Sequence, residues 1–419
     1  MYDNNISKEV IVMLVMFRYK NYGPFKDEVV LDMRAVKAYK EHPDNLITVY
    51  PDMPLLKVAA IYGANASGKS QFVDAYHTFK TLVQHSFRLN NKDDDHSFIE
   101  EFHMPFALCK DCRNADTEFE GIYRIDNEEY RYGFSYNGKE IKSEWLYRTS
   151  LKTNRTSVIL ERDAGIIKLG ASVKRTCEKY LKDIDNDVLA LSFFSSLRLN
   201  NMVFITTVTA IMLFWPVSLS RDTGAEVMLE EYFNNDFNED EKERLLKFLN
   251  AIDVGIKDIS IEKNGKKSKV YTYHLDDNGV LCEFDFSLES DGTRRAIAIY
   301  SVLRLATKGN AGLIMDEFHS QLHPLLQKYL LDMFYESSNG GQLIYTTHDT
   351  TMLDKRFTRR DQVWFTEKNE NGESILYSLA DFKVRDFDSF GKDYLSGNYG
   401  AIPNLKDFSF NGGTADGEG

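Results

Sequence analysis

The sequence predicts an α/β fold, a mixed sheet with flanking helices, that carries an inserted β-rich and helical subdomain. Three observations predict it. The apolar run Leu55 to Tyr62 is followed at once by a glycine-bearing loop and then by helical spacing, the strand–loop–helix order of a phosphate-binding turn. Towards the C-terminus, the apolar runs Gly312 to Met315 and Gln342 to Tyr345 alternate with helix-spaced segments at Arg294 to Ala306 and Leu325 to Phe334, as in a parallel sheet. Between these halves, Asn90 to about Leu160 holds short alternating runs joined by turn residues, the mark of antiparallel strands.

In chain order, Val10 to Phe17 is continuous, β-branched and apolar, as a buried strand should be, and Asn21 to Phe25 turns it back into the alternating run Glu28 to Met33. After the phosphate-type loop, Phe72, Ala75, Phe79, Leu82 and Val83 mark one face of a helix over Gln71 to Phe87. Strands are expected at Glu118 to Ile125 and Glu129 to Tyr136, with turns at Asp126-Asn127 and Asn137-Gly138. From Ala171 to Ala251 the pattern is mostly helical, including the charged helix Glu239 to Leu249, and strands return at Ile256 to Ile261, Val270 to His274 and Leu281 to Phe286. The expected division is 1–89 and 254–410 as the two parts of one head, 90–253 as the insertion, and 411–419 as a Gly-rich, acidic, disordered tail.

Composition narrows the function classes. The 51 basic and 64 acidic residues leave a net charge of −13, which opposes a surface built wholly for nucleic acid or anionic membrane; any such contact must be local. The most apolar window, Met202 to Val217, is shorter than the roughly 20 residues that span a bilayer and is expected to be a buried helix or strand, with no membrane contact. Four cysteines and no leader pattern at Met1 to Val15 suit a reducing cytoplasm. Cys109 and Cys112 form a C-x-x-C pair, but Cys177 and Cys282 do not supply the second close pair of a structural zinc site, so all four are read as thiols.

The strongest chemical signal is Gly63-Ala64-Asn65-Ala66-Ser67-Gly68-Lys69-Ser70, a full G-x-x-x-x-G-K-S. Its glycines let consecutive N–H groups and the helix N-terminus face phosphates, Lys69 is placed to reach the β- and γ-phosphates of ATP, and the Ser70 hydroxyl to ligate Mg²⁺. Leu313 to Glu317 is a buried strand ending in two carboxylates. Asp316 at its tip suits a Mg²⁺ contact, and Glu317 suits the general base that polarises the attacking water. Ser290 and Gly292, in SLESDGTRR, open a helix whose N-terminus suits an anion, and His348 follows the strand Gln342 to Tyr345, where it can meet a γ-phosphate. A capped helix and a surface histidine are the plain alternatives for these last two.

The order P-loop, S-x-G-T, MDE and TTH resembles the ATP-binding-cassette (ABC-type) AAA family ATPases, in the branch of SMC, RecF and the overcoming-lysogenization-defect nucleases. Phe17-Arg18-Tyr19-Lys20-Asn21-Tyr22-Gly23-Pro24-Phe25 is similar to the first strand and turn of that branch. More narrowly, Asp316 to Pro324 (DEFHSQLHP), Tyr130 to Phe134 (YRYGF), Ser143 to Tyr147 (SEWLY) and Tyr394 to Pro403 (YLSGNYGAIP) resemble the ATPases of prokaryotic anti-phage and abortive-infection systems, of the RloA, AbiL ATPase and PARIS AriA kind. The resemblance runs from about Phe17 to Pro403. It implies a head-to-tail dimer, or a higher oligomer of the chain, in which Ser290 and Gly292 of one copy meet the γ-phosphate held by Lys69 of the other. It also implies a D-loop at Ser320 to His323, departing from the usual pattern at His323. Neither Gln71 nor Gln84 fits the Q-loop well.

Two functions follow from the resemblance. In the first, an ATPase sensor and scaffold holds or releases a separately encoded toxic effector, such as a Toprim-type nuclease, in response to a phage-encoded trigger. In the second, a RecF/SMC-like repair ATPase binds DNA directly, which requires a basic stripe from Lys263, Lys266, Lys267 and Lys269 or from Arg356, Arg359 and Arg360. A transporter motor is disfavoured for want of a membrane-spanning segment.

Overall fold

Alternation along each strand decides which layer its side chains enter. The computed structural model describes residues 11–89, 97–197, 202–218, 229–264, 267–337, 340–383 and 389–403. The chain begins with β1 (Val12–Lys20), β2 (Val29–Asp32), the short pair β3 (Leu46–Ile47) and β4 (Leu55–Leu56), and β5 (Val58–Gly63). After the helix Lys69–His85 come β6 (Thr117–Ile125), β7 (Glu128–Tyr136), β8 (Ile141–Ser150), β9 (Arg155–Asp163) and β10 (Ile166–Leu169). Then follow β11 (Phe214–Ser218), β12 (Asp258–Asn264), β13 (Lys267–Leu275), β14 (Leu281–Asp285), β15 (Gly312–Asp316), β16 (Gln342–Thr347), β17 (Val363–Lys368) and β18 (Ser374–Ser378).

Two large sheets result, one antiparallel with order β10-β9-β8-β7-β6-β1-β2 and one with order β11-β15-β16-β5-β17-β18. The second is parallel from β11 to β17, and only the edge strand β18 runs antiparallel. The helix Lys69–His85 lies between the sheets. Its Phe72, Tyr76 and Phe79 join Phe17 and Tyr19 of β1 and Ala59 and Ile61 of β5 in one core, with Phe17 and Tyr76 rings 5.0 Å apart. The alternate residues Val58, Ala60 and Tyr62 face the other side and pack with the helices Asp291–Gly309 and Pro324–Ser337. The mixed α/β architecture with flanking helices is therefore present, in the layer order antiparallel sheet, helix, parallel sheet, helices.

A buried glutamine ties the two sheets. Gln342, at the start of β16, accepts from the Leu14 amide at 2.6 Å and donates to the Leu14 and Leu56 carbonyls at 3.0 and 3.1 Å. Leu14 sits where a register shift interrupts the β1–β6 pairing, so the side chain satisfies backbone groups at the irregularity.

The described part of residues 90–253, expected as an insertion, contributes strands to both large sheets. Strands β6 to β10 continue the sheet that β1 begins, because β6 pairs with β1 from Lys20↔Glu118 to Val12↔Ile125. The apolar window at Met202 divides into a helix, Met202–Met212, and β11, which joins the parallel sheet beside β15. The window, expected to be a buried helix or strand, holds one of each, a division that spacing does not show because a five-residue buried strand has no period of its own. The tail 411–419 lies outside the described residues.

Candidate nucleotide site

In a parallel sheet all the carboxyl ends point one way, and loops leaving them converge on one edge. Register places Thr347 of β16 beside Tyr62 of β5, and Met315 of β15 beside Tyr345 of β16. The P-loop, the Asp316-Glu317 pair and His348 therefore leave three consecutive strands at the same edge. There a cavity of about 550 Å³ is lined by Asn65, Ala66, Gly68, Lys69, Ser70 and Glu317, together with Gly23, Pro24, Gln71 and Lys368. That volume suits a ligand the size of a nucleotide.

The loop's glycines are required by its geometry. A Cβ on Gly63 would stand 2.4 Å from the Thr366 carbonyl, and Gly68 has φ +118°, a conformation side chains rarely adopt. From the flank, the Thr366 hydroxyl donates to the Ser67 carbonyl at 2.7 Å, fastening the loop to β17. The Lys69 ammonium turns back and donates to the carbonyls of Gly63 and Ala64, each at 2.8 Å. Burial holds its pKa below the usual lysine value, opposed by the nearby carboxylates of Asp316 and Glu317. Two buried oxygens at the cradle, Ser67 Oγ and Gln71 Oε1, have no hydrogen-bond partner. A cation folded onto its own loop, orphaned acceptors and a left-handed glycine are what a cradle for phosphate and a hydrated cation presents.

The carboxylates are tied to β16. Thr346 Oγ1 donates to Asp316 Oδ1 at 2.6 Å and accepts from the Glu317 amide at 2.8 Å, while the Phe318 amide donates to the Thr346 carbonyl at 3.1 Å. Asp316 is buried and Glu317 half-buried. Glu317 has φ +53°, a conformation that costs a non-glycine residue on the order of 1 kcal/mol, and the hydrogen bonds that the Glu317 and Phe318 amides donate to Thr346 hold it there. Beyond them, Gln327 donates to Asp349 at 3.0 Å and to the Leu322 carbonyl at 3.2 Å, joining the loops after β15 and β16 to the helix Pro324–Ser337. His323 opens that helix, its ring Nδ1 accepting from the Leu325 amide at 3.2 Å, which gives a local reason for a histidine at that point of the D-loop-like segment.

Ser290 and Gly292 lie elsewhere. Ser290 caps the helix Asp291–Gly309, accepting from the Thr293 amide at 3.1 Å, and neither residue lines the P-loop cavity. The segment adjoins Gln321, whose carbonyl would lie 3.6 Å from a Cβ on Gly292. Within one copy, then, strand order places Gly63 to Ser70, Asp316, Glu317 and His348 at one sheet edge, while the cavity itself is lined by neither Asp316 nor His348, nor by Ser290 or Gly292.

Sequence reasoning did not assign Thr346, Thr366, Gln327 or Lys368 to the site. Thr346 is the first residue of the TTH motif, and its bonds to Asp316 and Glu317 give it a part that the motif alone did not; the others carry no local signal, since strand pairing alone brings them near. Most of the basic residues weighed as a nucleic-acid stripe have a hydrogen bond or ion pair; Arg359 is buried in its pair, while Lys263, Lys269 and Arg356 stay exposed. Arg359 is 1% exposed and bonded to Asp361, Arg356 pairs with Asp354, Lys269 with Asp285, and Lys263 donates to the Asn234 carbonyl. Lys266 and the Lys267 side chain lie outside the described residues. Among the described residues no cluster of His, Cys, Asp and Glu forms a metal site, Cys109 and Cys112 are unbridged, and no helix is long and apolar enough to cross a membrane.

A family match agrees with this construction. Residues 58–354, well over half the chain, match the family described as "AAA domain, putative AbiEii toxin, Type IV TA system". No curated protein matches the sequence. Among solved structures, an SMC head bound to the C-winged helix domain of ScpA overlaps at TM-score 0.41 and 15% identity, covering 87% of this chain and 98% of that one. The SMC head domain from Thermotoga maritima overlaps at TM-score 0.40 and 12% identity, covering 89% and 100%. An SMC head domain with an extended coiled coil, bound to the C-terminal domain of ScpA derived from Pyrococcus furiosus, overlaps at TM-score 0.41 and 15% identity, covering 93% and 99%. With its P-loop, carboxylate pair and histidine gathered at one sheet edge inside the matched span, this chain belongs to the family of AAA-domain ATPases described by the putative AbiEii toxins of type IV toxin–antitoxin systems.

Proposed function

We propose that the chain binds and hydrolyses ATP as the sensor and scaffold subunit of an anti-phage defence system, using a head-to-tail nucleotide sandwich to hold or release a separately encoded toxic effector. The observation that carries this reading is the division of the site. The P-loop cavity is lined by the cradle and Glu317 but by neither Ser290 nor Gly292, which fits a site that a second copy completes.

In this reading the amides of Ala64 to Lys69 and the Lys69 ammonium bind the β- and γ-phosphates, Lys69 exchanging two carbonyl acceptors for phosphate oxygens. Ser70 and Asp316 would hold Mg²⁺, which supplies positive charge against the phosphate oxygens. The Glu317 carboxylate takes a proton from the attacking water, and His348, exposed beyond β16, meets the γ-phosphate. The net charge of −13 favours a basic effector over direct capture of DNA.

The test is a mass measurement of Glu317→Gln with ATP and Mg²⁺, followed by co-purification with the protein encoded next to it. An ATP-dependent dimer or higher oligomer that retains that protein is expected. A monomer at saturating ATP overturns the sandwich, and ATP turnover without any hold on the neighbour overturns the scaffold role. Duplex DNA binding by the chain alone, steeply weakened by salt, would favour the repair-type reading.

A further inference from the structure

A second histidine stands against the first. The rings of His319 and His348 lie with centroids 3.8 Å apart and planes at 66°, an edge-to-face contact between the loop after β15 and the loop after β16. His319 is anchored on its other side, where Nδ1 lies 3.1 Å from Thr347 Oγ1, which in turn accepts from the Asp349 amide at 2.9 Å. The segment 316–319 is thus laced to 346–349 almost residue by residue, Asp316, Glu317 and Phe318 to Thr346 and His319 to Thr347 and His348. His319 is half-buried while His348 is exposed, so the inner ring is the fixed one and the outer ring rests on it.

We infer that His319 is a positioning residue for ATP turnover, which sets the direction of the His348 ring and makes that ring move with the strained backbone of Glu317. This rests on the ATPase reading above and deepens it. Without an inner ring, His348 is an exposed side chain free to turn about its own bonds, and the geometry at a reacting phosphate then has to be found at each turnover. The contact works best with His319 uncharged, since two imidazolium rings at that separation repel. Burial, with His348 and Lys69 nearby, lowers the His319 pKa to about 4, so the ring is neutral at ordinary pH.

The experiment uses the full chain, with steady-state ATP turnover and nucleotide binding measured on the parent and on three variants. His319→Ala should lower kcat by roughly tenfold to a hundredfold, the scale of a small misplacement at a reacting centre, with nucleotide affinity within about twofold of the parent. His319→Phe, which keeps a ring against His348 without the nitrogens, should restore most of kcat; His319→Asn, which keeps a polar group for Thr347 without the ring, should not. An unchanged kcat in His319→Ala, or rescue by Asn but not Phe, overturns the inference while leaving the ATPase reading intact. Loss of binding and turnover together in both Ala and Phe would make His319 a merely structural residue and also overturns it. A parent chain that turns over no ATP overturns the ATPase reading itself.

Discussion

The P-loop edge and the Ser290 helix each present a helix N-terminus, yet they are built differently. At the P-loop edge nearly every group is held by a neighbour far away in sequence: Ser67 by Thr366, Asp316 and Glu317 by Thr346, Asp349 by Gln327. At the Ser290 helix the bonds are local, Ser290 to Thr293 and Arg294 to Asp291, and the adjoining cavity of about 610 Å³ is lined by Asp291, Arg294 and Gln321 but by no P-loop residue. One region is preorganised by the fold of a single copy, and the other is finished on its own and offered outward. In the proposed sandwich, that difference makes chemistry and assembly separable by mutation.

The largest expected separation is at Glu317. Glu317→Gln should reduce phosphate release by about 10²- to 10⁴-fold, the usual contribution of a general base, while nucleotide binding is retained; equal turnover would remove Glu317 from the role. Next, Lys69→Ala should weaken nucleotide binding by about 30-fold or more in titration calorimetry, from loss of a charged contact of roughly 2 kcal/mol. Retained affinity would mean that the cradle does not bind through Lys69. Thr346→Val keeps the strand shape but leaves Asp316 and the Glu317 amide without the hydroxyl, and about tenfold in turnover is expected with little change in binding, on a hydrogen-bond loss of roughly 1–2 kcal/mol.

On the outward side, Ser290→Ala should cost about 1 kcal/mol of stability as a lost helix cap and should weaken ATP-dependent dimerisation without altering the affinity of the single copy for nucleotide. A fall in single-copy affinity would place Ser290 in its own cavity and break the comparison. The smallest effect concerns acid. His319 has its folded pKa lowered from 6.5 to about 4, so between those values the unfolded chain binds a proton that the folded chain does not. Its contribution to stability is present above pH 6.5 and is lost as the pH falls towards 4. Acid unfolding of His319→Phe should show a shallower slope in that window, and an identical slope would mean that the ring does not titrate as described.

Much of the site could be read from order in the chain. Gly63 to Ser70 and Asp316-Glu317 are contiguous motifs, each set on a strand by a run of apolar residues, and both fall where expected. The helix after the loop was legible because Phe72, Phe79 and Leu82 recur on one face, and the hairpin of β6 and β7 because its turn residues interrupt clean alternation. What escaped did so for physical reasons. β11 is short and follows a helix of similar composition, so only its parallel pairing with β15 reveals it. The membership of β6 to β10 in the first sheet depends on the β1–β6 register, a contact spanning about a hundred residues that leaves no periodic trace.

The sequence by itself determined the chemistry on offer: a phosphate cradle, a pair of carboxylates and a histidine after a buried strand, because each is written in adjacent residues whose geometry follows from local conformation. Only the tertiary structure decided which of these share a cavity, that Thr346 and Thr366 hold them, that His319 stands against His348, and that Ser290 and Gly292 stay outside. Those facts depend on strand order and register, which are settled by side-chain packing between layers distant in the chain.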